Sequence, residues 1–172
     1  MPTIYDTLKF YARGIIELLI EPRFFFTTLP EKNTLAKALG FLGLSSLFFA
    51  GASLLTGASS GNPVVMGLIY FANASGMVCI GSVIGYAAMV MMFGKKASFC
   101  LVFSLYVYAS GITLLVSWLP FLLWLTEPWK YWLIFSGFRR GCGLSKRQAL
   151  EVLVVSLPIQ WCLIYSAMRM LI

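Results

Sequence analysis

One stretch of the chain, from Ala38 to Gly94, contains no Asp, Glu, Lys or Arg. A helix needs about 20 apolar residues to cross the hydrocarbon core of a bilayer, so this stretch is long enough for two crossings and a turn. The turn is predicted at residues 57–63, Gly-Ala-Ser-Ser-Gly-Asn-Pro, because these residue types interrupt helices. Soluble domains carry about 25% charged residues. Here only 11% of the residues are charged and 60% are hydrophobic, which predicts an all-α, polytopic membrane protein.

The basic residues predict how many times the chain crosses the membrane. The Lys95-Lys96 and Arg139-Arg140 pairs are separated by a largely apolar segment, and Lys and Arg concentrate on the cytoplasmic side. Both pairs lie on that side only if the intervening chain crosses twice, with a turn near residues 118–120. The prediction is a cytoplasmic amino terminus, an external carboxyl terminus and a five-span domain over 35–172. The predicted spans are about 36–56, 65–93, 98–118, 120–138 and 149–170.

The segment 1–34 is predicted to be an interfacial or cytoplasmic amphipathic region. Apolar residues recur at helical spacing over residues 3–20 and share one face. That face could lie on the membrane surface or pack on the protein's own cytoplasmic side, and the sequence favours neither. Pro22 is expected to end this helix. The aromatic residues that follow are predicted to anchor the chain at the bilayer interface; they are Phe24, Phe25 and Phe26.

The absence of certain residue types argues against an enzyme or a metal-binding protein. The chain has no histidine, which removes the commonest general base and metal ligand. Its four cysteines form no Cys-x-x-Cys pair, and no paired carboxylates lie in a polar setting. We therefore expect no catalytic residues, no metal and no cofactor. The net charge of +7 is explained by membrane topology, so nucleic acid is not an expected partner. No apolar segment precedes a small-residue cleavage site, and no cleaved signal peptide is predicted.

A set of short motifs, in order along residues 21–160, resembles the Yip domain family of Ypt/Rab-interacting membrane proteins and their bacterial relatives. The matching positions are Glu21–Phe25, Leu29-Pro30, Phe93–Ala97, Tyr106, Tyr108, Leu119-Pro120, Trp129, Tyr131, Gly137, Leu144-Ser145, Ala149 and Pro158. The long amino-terminal region and the Asp-Leu-Tyr-Gly-Pro motif of eukaryotic members are missing. The resemblance is therefore to a minimal bacterial-type member, and it implies a location in the inner membrane.

Three polar residues are candidates for a functional role inside the membrane: Glu127, Lys130 and Asn73. Glu127 and Lys130 are three residues apart and could pair on a helix. Counted from Arg139 at about 1.5 Å per residue, Glu127 lies roughly 18 Å from the inner boundary, and ionisable groups at such depth are often functional. In the alternative, Pro128 opens a short helix, and Glu127 lies in an outer, wetter funnel.

Small residues in the second predicted span indicate close helix packing. Ala72 and Gly76 are four residues apart, as are Gly81 and Gly85. Such steps let two helix backbones approach each other. Packing within the monomer is the simpler interpretation, and contact between copies in a homo-oligomer is the alternative.

A cytoplasmic basic set can also be assigned a role. Its members are Lys95, Lys96, Arg139, Arg140, Lys146 and Arg147. They could contact anionic lipid, at about 1 kcal/mol per residue near the surface, or could simply record membrane topology.

The first hypothesis for function is a non-enzymatic membrane adaptor or organiser that acts through helix–helix and lipid contacts, with a protein partner that the sequence does not identify. The alternative is a small ion or solute channel or transporter with a polar path near Glu127 and Lys130. The first rests on the family resemblance and on the missing catalytic groups, and is partly analogy.

Overall fold

The computed structural model describes residue 11 and residues 14–32, 34–56 and 62–171, and these residues contain helices and no strand. The all-helical prediction is confirmed. A 3₁₀ turn, Pro120–Leu122, precedes the sixth helix. The α-helices are α1 (14–20), α2 (Pro22–Lys32), α3 (Leu35–Leu55), α4 (Pro63–Phe93), α5 (Phe99–Leu114), α6 (Leu123–Arg140) and α7 (Lys146–Leu171).

The long helix α4 begins and ends at residues that suit those positions. Asn62 caps its amino terminus, where the Asn62 side-chain oxygen accepts a hydrogen bond of 3.0 Å from the Val64 amide. Pro63 occupies the first helical position, where its missing N–H costs nothing. Gly94 ends the helix with a positive φ of 73°, a conformation that glycine adopts without strain. The two basic residues after Gly94 therefore lie in a tight loop.

Helix α7 begins with a reciprocal capping box. The Gln148 amide donates to the Ser145 hydroxyl at 3.3 Å, and the Ser145 amide donates to the Gln148 side-chain oxygen at 3.1 Å. Two amides that would otherwise lack partners in the first turn are thereby satisfied. The Ser-x-x-Gln spacing is visible in the sequence and fixes where α7 starts.

Helix α5 lies at the centre of the bundle. Every residue from Val102 to Thr113 is buried, so no face of the helix is open. Helices α2, α3, α4 and α6 pack around it. The Tyr108 ring, for example, lies 5.2 Å from the Phe25 ring of α2 and 5.0 Å from the Phe41 ring of α3. A helix surrounded on all sides must be apolar on all sides, which explains why α5 carries no charge.

The amino-terminal region corrects one prediction. The chain does leave the helical conformation at Glu21, but a second helix, α2, starts at Pro22. Phe25 and Phe26 are buried in the core, and only Phe24 is exposed. Two of the three predicted interface anchors are therefore core residues. Pro22 at the first helical position, followed by apolar residues three, four and seven positions later, is the signal that could have revealed this helix.

The predicted amphipathic helix over residues 3–20 is described only in part, because residues 1–10, 12 and 13 lie outside the described residues. Leu18 is buried in the core, and Tyr11 and Ile15 pack against it. Ile16 and Ile20 are exposed. The apolar face of α1 thus packs on the protein itself, while its other side remains open to the surroundings.

Candidate functional site

Two loops that contain or are flanked by basic residues, called the basic loops below, lie at the same end of the bundle. One loop, 94–98, joins α4 to α5, and the other, 141–145, joins α6 to α7. Helices α5 and α6 pack against each other and are connected by the turn over 115–122, so they run in opposite directions. The start of α5 and the end of α6 are therefore neighbours. We call this region, with Lys95, Lys96, Arg139, Arg140, Lys146 and Arg147, the basic end, and the opposite end of the α5–α6 hairpin the distal end.

Within the described part of the chain, most cations of the basic end have no carboxylate at ion-pair distance. Among the described residues, Arg147 alone of the six forms an ion pair, with Glu151 at 3.0 Å. Arg139 is half-buried, and its guanidinium lies 5.8 Å from the centre of the Phe135 ring. Lys95, Lys96 and Arg140 are exposed. The basic end therefore presents a concentrated positive charge to whatever lies beside it.

The basic end also contains a buried thiol, between the basic residues that end α6 and those that begin α7. Cys142 is in the loop after α6 and is buried in the core cluster. Burial raises the pKa of the Cys142 thiol to about 12, because an apolar surrounding disfavours the thiolate. The thiol therefore packs as a small apolar group and is not a nucleophile at neutral pH.

The raised pKa of Cys142 gives a testable reactivity. Two variants are compared, one whose single cysteine is Cys142 and one whose single cysteine is introduced by Lys96→Cys. Labelling of Cys142 with a maleimide at pH 8 should be at least about a hundredfold slower, because the thiolate is the reactive form. Labelling should accelerate as the pH rises and should become equal for both variants after unfolding. Equal labelling of the two thiols in the folded protein would contradict the burial of Cys142.

Glu127 and Lys130 do form an ion pair. The Lys130 ammonium lies 2.6 Å from one Glu127 carboxylate oxygen and 2.7 Å from the other. The pair is at the surface of the bundle, since the Glu127 side chain is 48% exposed and that of Lys130 is 21% exposed. Helix α6 starts at Leu123, with Pro128 inside it. The alternative in which Pro128 opens the helix is therefore wrong.

Asn73 does not strengthen the case for a polar path. Its side chain is exposed on α4. The groove between α3 and α4 has a volume of about 650 Å³ and is lined only by apolar residues. Its lining residues are Leu47, Ala50, Gly51, Leu54, Pro63, Val64, Gly67, Leu68 and Phe71. This groove therefore offers no route to a charged or polar solute.

The four predicted packing residues divide into two pairs. Gly81 and Gly85 are buried, and a methyl group on either would meet the Tyr106 ring of α5. Ala72 is exposed, and a methyl group on Gly76 would meet nothing within 4 Å. The first pair thus makes room for a neighbouring helix of the same chain. The second pair has no such contact among the described residues.

Tyr106 is the residue whose importance the sequence did not reveal. It is 3% exposed, and its ring fills the groove that Gly81 and Gly85 leave in α4. On its other side it packs edge-on against Phe138, with ring centres 6.1 Å apart. The signal in the sequence was the Gly-x-x-x-Gly step, which indicated a groove but did not identify its occupant.

The helical fold and the apolar composition fit insertion into a membrane. Among the described residues, α3 and α4 are long and apolar enough to cross a bilayer, and α5 is apolar but shorter. Among the residues that the structure describes, no three or more His, Cys, Asp or Glu side chains are grouped so that they could hold a metal ion.

The family is shown by comparison with family models. The Yip1 domain model matches residues 16–168, and the chain belongs to the Yip domain family. The comparison with curated proteins and the comparison with solved structures each gave no match. The family is one of membrane proteins, in agreement with the two long apolar helices.

Proposed function

We propose that this chain is a non-enzymatic adaptor or organiser of a bacterial inner membrane, and that it acts through helix–helix and lipid contacts. Its membership of the Yip domain family supports a membrane role. The observation that carries the proposal is the basic end, where one loop and the ends of two helices contribute cations that mostly lack carboxylate partners among the described residues. Such a surface attracts anionic headgroups and acidic segments of partner proteins.

The proposed topology follows from the same surface. With the basic end in the cytoplasm, five crossings place the amino terminus inside and the carboxyl terminus outside. The antiparallel α5–α6 hairpin supports two crossings between the basic loops. Helix α5 is shorter than α3 and α4, and α6 and α7 are more charged. Their insertion therefore relies on packing, of α6 against α5 and of α7 against α4 and α6, as well as on hydropathy.

A channel or transporter is not favoured by any feature of the described residues. The Glu127–Lys130 pair is at the surface of α6 and not between helices, and the α3–α4 groove is apolar. A protein partner is compatible with the basic end. A second copy is compatible with the step formed by exposed Ala72 and by Gly76, where an added methyl group would meet nothing within 4 Å.

The lipid contact can be tested by removing charge at the basic end. The variant Lys95→Gln/Lys96→Gln/Arg140→Gln/Lys146→Gln should retain at least about tenfold less phosphatidylglycerol than the wild type when extracted from mixed vesicles into polymer-bounded discs. It removes four cations, and each cation near a headgroup contributes about 1 kcal/mol, so two of them already account for a tenfold loss. Bound lipid is measured by mass spectrometry, and thermal unfolding checks the fold.

The matched control keeps the charge and changes the side chains. The variant Lys95→Arg/Lys96→Arg/Lys146→Arg should retain phosphatidylglycerol as the wild type does, because long-range attraction depends on charge. Unchanged lipid retention in the glutamine variant would show that the basic end only records topology, and the proposal would be abandoned.

A further inference from the structure

The helices of the bundle have very different lengths. Helix α4 has 31 residues and α5 has 16, which correspond to about 46 Å and 24 Å at about 1.5 Å per residue. The two helices meet at the loop 94–98 of the basic end. The α5–α6 hairpin therefore stops well short of the far end of α4. A hydrocarbon core about 30 Å thick is also longer than α5.

The Glu127–Lys130 pair lies on this short hairpin. Counted from Arg139 at the basic end, Lys130 is about 14 Å and Glu127 about 18 Å along the axis of α6. In a flat bilayer with a core about 30 Å thick, both charges would face lipid near its middle, because the pair is at the bundle surface. Charged groups at that depth are costly unless water, headgroups or protein reach them.

The tryptophans show where headgroups come close. Four of the five tryptophans lie on α6 or in the turn before it, with two beyond the ion pair and two beside it: Trp118, Trp124, Trp129 and Trp132. Trp124 is 88% exposed, and Trp129 and Trp132 are each 39% exposed, with ring centres 5.4 Å apart. Tryptophan prefers the boundary between hydrocarbon and headgroups. Their position around the ion pair indicates that this boundary lies at the level of the pair and not beyond it.

The two charged groups lie next to each other on the surface of α6. Long side chains on a helix point toward its amino terminus, so the Lys130 ammonium reaches back one turn to Glu127, in the direction of the distal end. The result is one positive and one negative group side by side on an open surface. A zwitterionic phospholipid headgroup, with a phosphate and an ammonium, is the complementary partner.

We propose that the bilayer is thinned beside the α5–α6 hairpin and that a zwitterionic phospholipid headgroup of the distal leaflet docks on the Glu127–Lys130 pair. The phosphate accepts from the Lys130 ammonium, and the headgroup ammonium donates to the Glu127 carboxylate. The exposed tryptophans flank the headgroup at the boundary. This site is at the opposite end of the hairpin from the basic end, and it stands without the function proposed above.

The depth of the boundary is tested with two nitroxide labels at equal heights. Leu125 on α6 is 14 residues from Arg139, and Ile80 on α4 is 14 residues from Gly94; the two side chains are 69% and 49% exposed. In vesicles of phosphatidylethanolamine and phosphatidylglycerol, a label at Leu125→Cys should be relaxed strongly by a water-soluble paramagnetic reagent. A label at Ile80→Cys should be relaxed mainly by oxygen. Labels that both report hydrocarbon would overturn the thinning.

The docking itself is tested by removing both charges. The variant Glu127→Leu/Lys130→Leu should retain about fivefold less phosphatidylethanolamine in polymer-bounded discs, which corresponds to about 1 kcal/mol. The control Asn73→Leu removes an exposed polar side chain of α4, outside both lipid surfaces, and should leave this retention unchanged.

Two further results would contradict the headgroup site. Unchanged phosphatidylethanolamine retention in Glu127→Leu/Lys130→Leu, with an accessible label at Leu125→Cys, would mean that water alone solvates the pair. Protection of that label that increases with protein density in the vesicles would mean that a second copy covers it. If the double variant fails to fold, the two labels still test the thinning on which the site depends.

Discussion

Gly85→Ala should destabilise the protein by about 1–3 kcal/mol, the usual cost of forcing an extra group into a packed core. The new methyl group would overlap the Tyr106 hydroxyl and would lie 2.7 Å from the ring carbon Cζ. Tyr106 cannot move aside easily, because it is buried and packs against Phe138. The measurement is thermal or denaturant unfolding of the purified protein in a mild detergent.

The control for this prediction is a glycine-to-alanine change at another position of α4. Gly76→Ala lies on the same helix, where a methyl group meets nothing within 4 Å. It should be neutral or slightly stabilising, because alanine favours helix over glycine by about 1 kcal/mol. Adding Tyr106→Phe to Gly85→Ala removes the closest atom and should recover part of the loss. Equal effects of Gly85→Ala and Gly76→Ala would show that α4 and α5 do not pack as described.

Phe26→Ala should have the second large effect, a loss of about 3 kcal/mol or more, because it leaves a cavity in the core. The Phe26 side chain is 0% exposed, and its helix α2 packs against α5 and α6. Phe24→Ala, two residues earlier, removes an aromatic side chain that is 57% exposed and should change the free energy of unfolding by about 0.5 kcal/mol or less. Both values come from the same unfolding measurement.

The comparison of Phe26 with Phe24 decides what α2 does. If α2 only anchored the chain at the interface, the two substitutions would have similar small effects on unfolding. A large effect confined to Phe26→Ala would show that α2 is part of the bundle. A larger loss for Phe24→Ala than for Phe26→Ala would contradict the packing of α2.

Local features of the fold could be predicted because they depend on nearby residues. The Gly81-x-x-x-Gly85 step indicated a close helix contact, and the structure places Tyr106 in it. The pairing of Glu127 with Lys130, three residues apart, is also local and is present. The start of α7 is also local, because Ser145 and Gln148 form a capping box, but the predicted span began only at residue 149.

The amino-acid sequence by itself determined that this chain is a helical membrane protein of the Yip domain family. Few water-soluble folds can bury so long an uncharged segment, and the family match agrees with a membrane location. In a bilayer, backbone N–H and C=O groups must be hydrogen-bonded within the chain, which favours helices. Only the tertiary structure decided which apolar faces meet protein. It buried α5 on all sides, moved Phe25 and Phe26 into the core, and left Ala72 and Gly76 open. The physical reason is that lipid and protein interior are both apolar, so hydrophobic periodicity cannot distinguish a face that contacts lipid from one that contacts another helix.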